Sequence, residues 1–196
     1  MQVYFDGVLQ GDCYWPHPGE YNLENALGAL LAVISAGVSL DDALSGLGTF
    51  KSVKRRMELL GDYGGVRLYD DFAHHPTAIR RCVEGMQLHS DGRVLAVLEP
   101  RSNTMKLGAH ADQLSTALEP ADKSWLLQPA DLDWQLKDVL DDNLNAEVCL
   151  SVEAIVADVV ATAMPGDAIV IMSNGSFDGI YRSFSKALMT AFSAPE

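Results

Sequence analysis

The chain has 196 residues, of which 48% are hydrophobic and 21% are charged, and its formal net charge is −13. These proportions are typical of a folded soluble protein and argue against a disordered chain. The acidic balance disfavours a nucleic-acid partner, because a phosphate-binding surface needs a patch of Lys and Arg. The 3 cysteines are widely spaced, which argues against a disulfide framework or a zinc finger.

The sequence gives no indication of a membrane location. Its apolar runs all fall short of the roughly 18 residues that a bilayer span needs. The start, "MQVYFDGVLQ", has neither the basic nor the apolar region of a signal peptide. We therefore expect a cytoplasmic protein with free thiols and no membrane partner.

The first fifty residues predict a short β segment and two helices. "QVYFDGVLQG" predicts one or two strands, and "DCYWPHPGE" then interrupts regular structure with prolines and a glycine. A helix is predicted from Glu20 to about Gly37, with Leu27, Leu30, Leu31 and Ile34 on one face. "SLDDALSGLG" predicts a second helix. Ser39 is expected to cap the start of that helix.

Strand and helix patterns alternate from about Lys51 onwards. Strands are predicted in "RRMELLG", "GVRLYDD", "RVLAVLE", "KSWLLQ", "AEVCL" and "PGDAIVIMS". Helices are predicted from Pro76 and in "HADQLSTALE", "DLDWQLKDVLDD", "SVEAIVADVVATAM" and "DGIYRSFSKALMTAF". This alternation predicts an α/β fold, a Rossmann-like doubly wound, mostly parallel sheet with flanking helices. We expect a domain boundary near Gly48 to Val53, because the preceding segment is too short to bury its own core.

Polar residues follow several predicted strands. In a doubly wound sheet, ligands bind beyond the carboxyl ends of the strands. The segments at that edge read "DDFAHHP", "PRSNTMK", "PAD" and "SNGSFDG", and we expect them to share one rim. Arg101 and Lys106 suit a carboxylate or a phosphate there. Other interpretations stay open: Asp70 and Asp71 as turn or capping residues, and "SNGSFDG" either as a plain turn with Asp178 as helix cap or as an anion-accepting nest.

The Asp and His cluster also raises the question of a metal. His74 and His75 are adjacent, so their side chains diverge from an extended backbone. With Asp71 they supply at most two ligands, and the sequence has no Cys or His pair at a familiar zinc spacing to complete the set. We predict no metal site, and a small metal-dependent hydrolase stays as an alternative.

Several motifs resemble those of the Mur ligases, the ATP-dependent amide-bond ligases of bacterial cell-wall synthesis. "YDDFAHHPTAI" resembles the family's characteristic segment, "GEYNLENALGALLA" is similar to G-x-H-N-x-x-N-x-x-A-A, and "FKSVKRRMELLG" looks like the linker with its arginine. "LEPRSNTMKLG" and "MSNGSFDGIY" are similar to the branch that attaches the recycled tripeptide L-alanyl-γ-D-glutamyl-meso-diaminopimelate to UDP-N-acetylmuramate. The resemblance runs from about residue 19 to about residue 190.

The resemblance implies a domain organisation. Mur ligases have a UDP-sugar domain, a central P-loop ATPase domain and a C-terminal Rossmann-like domain for the incoming amino acid or peptide. Residues 1–48 then correspond to a helical remnant of the central ATP-binding domain, and residues 49–196 to the C-terminal peptide-binding domain. The sequence contains no G-x-x-x-x-G-K-[ST] phosphate loop. We therefore expect a fragment without its N-terminal and central domains, inactive alone, with ATP and Mg²⁺ held mainly by the missing central domain.

The resemblance also implies roles for individual residues. In the family, ATP phosphorylates the sugar carboxylate, and the incoming amine attacks the acyl phosphate. The nucleotide residues fall on Asn22, Asn25 and Arg56, with ribose held by Asp70 or Asp71. His74 is the candidate catalytic residue, for proton transfer or for positioning. The resemblance places the incoming peptide near His75, Arg101, Ser102, Asn103, Lys106, Ser173, Asn174, Gly175 and Phe177.

Some features depart from the family pattern. Tyr21 stands where the family usually has histidine, and Ser176 and Asp178 stand where related ligases tend to have glycine. Asp178 also adds negative charge beside a proposed carboxylate site. Two alternatives therefore stay open: another Mur ligase such as UDP-N-acetylmuramate–L-alanine ligase, and a stand-alone Rossmann-like module that senses a ligand. The absence of G-x-G-x-x-G after any predicted strand counts against the second.

Overall fold

The computed structural model describes residues 1–101, 105, 111–130, 132, 134–142 and 144–192. The chain divides into two compact units, Met1–Val53 and Lys54–Glu196. Ser102, Asn103 and Lys106, which were predicted to face the peptide, lie outside the described residues.

The first unit contains a β-hairpin and two helices. The segment predicted to supply one or two strands contains two, β1 (Gln2–Phe5) and β2 (Val8–Asp12), which pair antiparallel. Asp6 and Gly7 join them with φ angles of 48° and 78°, the left-handed pair that a tight two-residue hairpin turn requires. The helices are α1 (Glu20–Ser35) and α2 (Leu40–Gly48).

The two helices of the first unit bury only part of their apolar surface. Leu30 packs with Ala43 and Leu44 in a small core. The other members of the predicted apolar face of α1 are exposed: Leu27, Leu31 and Ile34. The predicted cap of α2 is confirmed, because Ser39 Oγ accepts the Asp42 backbone N–H at 3.2 Å.

The second unit is built on a six-stranded sheet in the order β3-β4-β8-β5-β6-β7. The strands are β3 (Glu58–Tyr63), β4 (Val66–Asp71), β5 (Val94–Leu98), β6 (Lys123–Leu127), β7 (Ala146–Cys149) and β8 (Ala168–Met172). Strand β3 pairs antiparallel with β4, and the other neighbours pair in parallel. The helices are α3 (Pro76–Gln87), α4 (Leu114–Leu118), α5 (Val152–Thr162) and α6 (Ile180–Phe192).

Helices cover both faces of this sheet. Helices α5 and α6 pack with Leu95, Val97, Ile169 and Ile171 in one core cluster. Because side chains alternate across a strand, the remaining residues of β5 and β8 point to the other face, where α3 contacts both strands. Every residue of β5 and β8 is buried, as expected of central parallel strands. The predicted doubly wound α/β fold is confirmed.

One predicted helix is wrong. In "DLDWQLKDVLDD" the described residues contain only a single 3₁₀ turn, Leu136–Asp138. The Gln128 side chain donates to the Trp134 carbonyl at 3.0 Å and accepts the Leu136 backbone N–H at 2.8 Å. A side chain from the end of β6 thus satisfies backbone groups that a helix would have satisfied internally.

Candidate functional site

Asp70 and Asp71 end strand β4 at the carboxyl rim of the sheet, and both side chains are buried, at 5% and 3% exposure. Asp71 holds the backbone on both sides of β4: its carboxylate accepts the Met57 N–H at 2.9 Å and the Ala73 N–H at 2.8 Å. Burial raises the pKa of Asp71, and these two backbone donors oppose the rise. The carboxylate is therefore engaged within the protein.

Asp70 faces Arg55 instead. Arg55 Nε donates to Asp70 Oδ2 at 3.2 Å. Burial raises the pKa of Asp70, against the lowering effect of the Arg55 charge. Among the described residues, Asp70 Oδ1 has no hydrogen-bond partner. Burying a carboxylate oxygen without a hydrogen-bond donor costs free energy. Asp70 is therefore the better placed of the two aspartates to accept a hydrogen bond from a ligand hydroxyl.

The two adjacent arginines have different environments. Arg55, with φ of 60°, turns inward: its Nη2 donates to the Ser173 carbonyl at 2.5 Å and to the Tyr181 hydroxyl at 3.0 Å. Burial raises the pKa of Tyr181 to about 12, so its hydroxyl stays neutral. Arg56 is exposed, with its guanidinium carbon 5.9 Å from the centre of the Phe72 ring. Arg56 is therefore the arginine at the surface, and Arg55 is part of the supporting structure.

His74 and His75 lie between β4 and α3, both half-buried. His74 Nδ1 is 2.8 Å from the Phe72 carbonyl oxygen. Because a carbonyl can only accept, Nδ1 carries the proton in this hydrogen bond, and Nε2 of the neutral ring is an acceptor. His75 precedes α3, and its carbonyl accepts the Ile79 N–H at 2.9 Å.

The loops after β5 and β8 are joined by a buried glutamate that was not predicted as a site residue. Glu99 is 5% exposed, and its Oε2 accepts the Ser173 hydroxyl at 2.6 Å. Its Oε1 lies 3.6 Å from Arg101 Nη1. The sequence offers one signal for Glu99, a charged residue directly after a fully buried strand.

A cavity of about 420 Å³ that is open to solvent lies at the same rim. It brings together the ends of β5, β6 and β7 with the turn after β8. Its charged and polar lining residues are Glu99, Arg101, Gln128, Ser151, Glu153 and Asp178. Arg101 was predicted as a site residue, whereas Glu99, Gln128, Ser151 and Glu153 were not. Ser151 and Glu153 were missed because the loop after β7 carries no recognisable motif.

The turn after β8 has an unusual backbone. Phe177, Asp178 and Gly179 have φ angles of 47°, 44° and 76°, a run that costs energy for the two non-glycine residues. The Phe177 side chain is fully buried in the hydrophobic core. The Gly175 N–H donates to Ser173 Oγ at 2.9 Å. This N–H is therefore already used within the protein and does not point at an anion bound in the turn.

Two of the predicted nucleotide residues lie in the first unit and are described there. Asn22 and Asn25 belong to the first unit, in α1. Asn22 Nδ2 donates to the Pro18 carbonyl at 2.5 Å, and Asn25 is exposed. In the described part of the chain, no group of three His, Cys, Asp or Glu side chains is arranged to hold a metal ion. Nor is any of its helices both long enough and apolar enough to cross a membrane.

Comparison with known proteins gives one family. Residues 55–175 match the family described as Mur ligase, glutamate ligase domain. The chain is 43% identical over 196 residues to the UDP-N-acetylmuramate–L-alanyl-γ-D-glutamyl-meso-2,6-diaminoheptandioate ligase of Escherichia coli (strain K12), across 95% of this chain and 42% of that protein. The chain therefore spans less than half the length of that relative.

Solved structures are similar in both sequence and fold. A murein peptide ligase from Psychrobacter arcticus 273-4 is 42% identical with a TM-score of 0.69, covering 90% of this chain and 38% of that one. A domain from Haemophilus ducreyi 35000HP, inferred to belong to a UDP-N-acetylmuramate:L-alanyl-γ-D-glutamyl-diaminopimelate ligase, is 40% identical with a TM-score of 0.58. That match covers 68% of this chain and 99% of the domain.

Proposed function

The chain belongs to the Mur ligase family, and on that premise we propose that it is the C-terminal part of an ATP-dependent ligase of peptidoglycan recycling. The proposed reaction joins the murein tripeptide L-alanyl-γ-D-glutamyl-meso-diaminopimelate to UDP-N-acetylmuramate. Residues 49–196 form its peptide-binding domain, and residues 1–48 are the end of its central ATP-binding domain. The reaction named for the E. coli relative and the extent of the H. ducreyi domain support this assignment.

The observation that carries the proposal is the cavity at the carboxyl rim. Among the described lining residues, it presents the guanidinium of Arg101 beside the carboxylates of Glu99, Glu153 and Asp178. A guanidinium recognises a carboxylate, and carboxylates recognise an ammonium group. The free end of meso-diaminopimelate carries both groups, so the mixed charge of this cavity suits it better than it suits a simple carboxylic acid.

The nucleotide contacts proposed for this chain are Asn22, Asn25, Arg56 and one of the two aspartates. Asp70 fits ribose better than Asp71, because Asp70 Oδ1 is buried without a donor among the described residues, whereas both oxygens of Asp71 accept backbone N–H groups. Bound ATP supplies the phosphoryl group that activates the sugar carboxylate. Mg²⁺ and the phosphates are assigned to the central domain, because the phosphate-loop motif is absent from this sequence.

His74 is the proposed catalytic residue on this chain. Its Nδ1–H is fixed on the Phe72 carbonyl at 2.8 Å, which leaves Nε2 as the proton acceptor. An attacking ammonium group must lose a proton before it becomes a nucleophile, and an imidazole nitrogen that carries no hydrogen is suited to accept it. Arg101 and the cavity carboxylates hold the far end of the peptide in this scheme.

Calorimetric titration of the chain with the tripeptide tests the peptide site. We expect saturable binding that is strongly weakened, but still measurable at high peptide concentration, in Arg101→Ala, and no binding of the dipeptide L-alanyl-D-glutamate, which lacks the diaminopimelate end. The isolated chain is expected to show no ligase activity. Binding that persists unchanged in Arg101→Ala would contradict the assignment of the cavity.

A titration with free L-alanine addresses the alternative ligase. If the chain served UDP-N-acetylmuramate–L-alanine ligase, L-alanine would bind and the tripeptide would not. We expect the opposite result. The cavity, at about 420 Å³, has room for a larger group than a methyl side chain.

A further inference from the structure

Glu99 is the residue through which the loops after β5 and β8 are connected. Its backbone N–H donates to the Met172 carbonyl at 3.1 Å, continuing the sheet past the end of β5. Its carboxylate accepts the Ser173 hydroxyl at 2.6 Å, and Ser173 Oγ in turn accepts the Gly175 N–H at 2.9 Å. A hydroxyl can donate one hydrogen bond and accept another at the same time. The Ser173 hydroxyl therefore links the Gly175 N–H to the Glu99 carboxylate through two consecutive hydrogen bonds.

Arg101 is held against the same structure. Its Nη1 lies 3.6 Å from Glu99 Oε1, and its backbone N–H donates to the Glu99 carbonyl at 2.9 Å. A Cβ placed on Gly175 would lie 2.6 Å from Arg101 Cδ and 3.0 Å from its Nε. The Arg101 stem therefore crosses directly over Gly175, with the buried carboxylate beside its guanidinium.

Glycine at position 175 is explained by this crossing and not by the backbone. Gly175 is not among the residues with positive φ, so an alanine there meets no conformational barrier. What an alanine would meet is the Arg101 side chain. The sequence thus keeps position 175 free of a side chain at the place where Arg101 passes.

We propose that Glu99 is a positioning residue, which orients Arg101 towards the cavity and fixes the Ser173–Gly175 turn. The inference deepens the proposed function and rests on it for the identity of the ligand. An arginine that is 48% exposed ordinarily samples many rotamers, and ordering it on binding opposes affinity. A buried carboxylate attracts the guanidinium more strongly than one in water would, so Glu99 orders Arg101 before the peptide arrives.

Two variants disturb Arg101 by different means. Glu99→Gln removes the charge and keeps an oxygen that can accept the Ser173 hydroxyl. Gly175→Ala keeps the charge and displaces the Arg101 stem. Glu84→Gln is the matched control, because Glu84 pairs with Arg80 on helix α3 and not with Arg101.

The first measurement is NMR relaxation of the Arg101 Nε–H group, assigned by its loss in Arg101→Ala. We expect an ordered signal in the wild-type chain and in Glu84→Gln, and a mobile one in Glu99→Gln and Gly175→Ala. This measurement uses no ligand, so its result is independent of the proposed function. An unchanged Arg101 signal in Glu99→Gln would overturn the inference.

The second measurement is tripeptide affinity by calorimetry. We expect Glu99→Gln and Gly175→Ala each to weaken binding about tenfold, a change of about 1.4 kcal/mol. In an Arg101→Ala background, Glu99→Gln is expected to add less than a twofold effect, because its influence passes through Arg101. A purely structural role would give the same loss in both backgrounds and would overturn the inference.

The two measurements separate the two proposals. If the wild-type chain does not bind the tripeptide but Arg101 becomes mobile in Glu99→Gln, the peptide assignment fails and the positioning role stands. If the tripeptide binds wild type and Glu99→Gln equally, and Arg101 stays ordered in both, the peptide assignment stands and the positioning role fails.

Discussion

Arg55 and Asp70 form an ion pair in which only the arginine reaches solvent: Nε donates to Oδ2 at 3.2 Å, and the side-chain exposures are 29% and 8%. The same guanidinium also holds the Ser173 carbonyl and the Tyr181 hydroxyl. Arg55 therefore ties the segment before β3 to strand β4, to the turn after β8 and to helix α6. Its neighbour Arg56 remains exposed at the surface.

This arrangement predicts that the two arginines contribute differently to stability. Arg55→Ala leaves Asp70 buried without its cation, and we expect a loss of about 2–4 kcal/mol in the free energy of unfolding. Arg56→Ala removes an exposed side chain, and we expect a loss below about 1 kcal/mol. Urea denaturation of both variants measures the difference. If Arg55→Ala lost as little unfolding free energy as is expected for Arg56→Ala, the inward contacts of Arg55 would contribute no net stabilisation.

Asp71 predicts a pH dependence of stability. Burial raises its pKa in the folded state above the unfolded value, so the folded state binds the proton more tightly. Its contribution is therefore fully present below the unfolded value of 3.8 and is lost as pH rises through the folded pKa. Asp71→Asn has no such titration. We expect the stability of Asp71→Asn relative to wild type to increase between pH 4 and pH 7.

Thermal unfolding of wild type and Asp71→Asn across that pH range measures this difference. Asp91→Asn is the control, because Asp91 is exposed, and its offset from wild type should stay nearly constant. A constant offset for Asp71→Asn as well would mean that the folded pKa is not raised.

The burial and contacts of Asp167 predict that its substitution strongly destabilises the fold, although this residue lies far from the candidate site. It is 3% exposed and accepts Arg93 Nη2 at 2.6 Å and Arg93 Nε at 3.2 Å, a two-pronged pair. It also accepts the Met164 N–H at 2.8 Å. Asp167→Ala removes all these acceptors, and we expect a loss of about 3–5 kcal/mol in the free energy of unfolding.

Urea denaturation measures that loss, again with Asp91→Asn as the exposed control. Arg93 lies directly before strand β5 and Asp167 directly before β8, at the end of the sheet opposite the rim. Ligand binding should therefore be preserved in any folded fraction of Asp167→Ala. A variant that keeps full stability would contradict the structural role of this pair.

The two possible roles of His74 predict different activities for the variants His74→Asn and His74→Gln in the full enzyme. His74→Asn places an amide N–H near the Nδ1 position, where it can still donate to the Phe72 carbonyl, and deletes Nε2. If Nε2 accepts the proton, kcat should fall by about 10²–10⁴, with KM changed by less than about threefold. His74→Gln places its amide near Nε2 and lacks a basic nitrogen, so it should be equally slow.

Steady-state kinetics of the full-length ligase test this prediction. If His74 only positions the loop through Phe72, His74→Asn should keep most of the activity and His74→Gln should not. The two outcomes differ in the Asn variant alone, which makes that variant the informative one.

The order of helices and strands was largely predictable from the sequence. Strands β5 and β8 are runs of apolar residues flanked by Gly, Pro or charge, and helix α3 repeats its buried positions at helical spacing. These are local patterns, and each requires only that one face or both faces of an element be buried. The helix predicted in "DLDWQLKDVLDD" is wrong because a contact from outside the segment decides its structure. The Gln128 side chain, directly after β6, hydrogen-bonds to the backbone of this segment.

The sequence by itself also determined that polar loops would meet at one rim, because parallel strands end on the same side of a sheet. It left open which side chain in each loop faces inward. Only the tertiary structure showed that the side chains of Arg55 and Asp71 are used in contacts within the protein. It also showed that, among the described residues, Asp70 Oδ1 has no hydrogen-bond partner, and that the Glu99 carboxylate lies beside the Arg101 guanidinium. Those assignments depend on the direction in which each side chain turns and on contacts with Ser173, which is 118 residues from Arg55 and 74 residues from Glu99 along the chain. The local sequence pattern does not encode either of them.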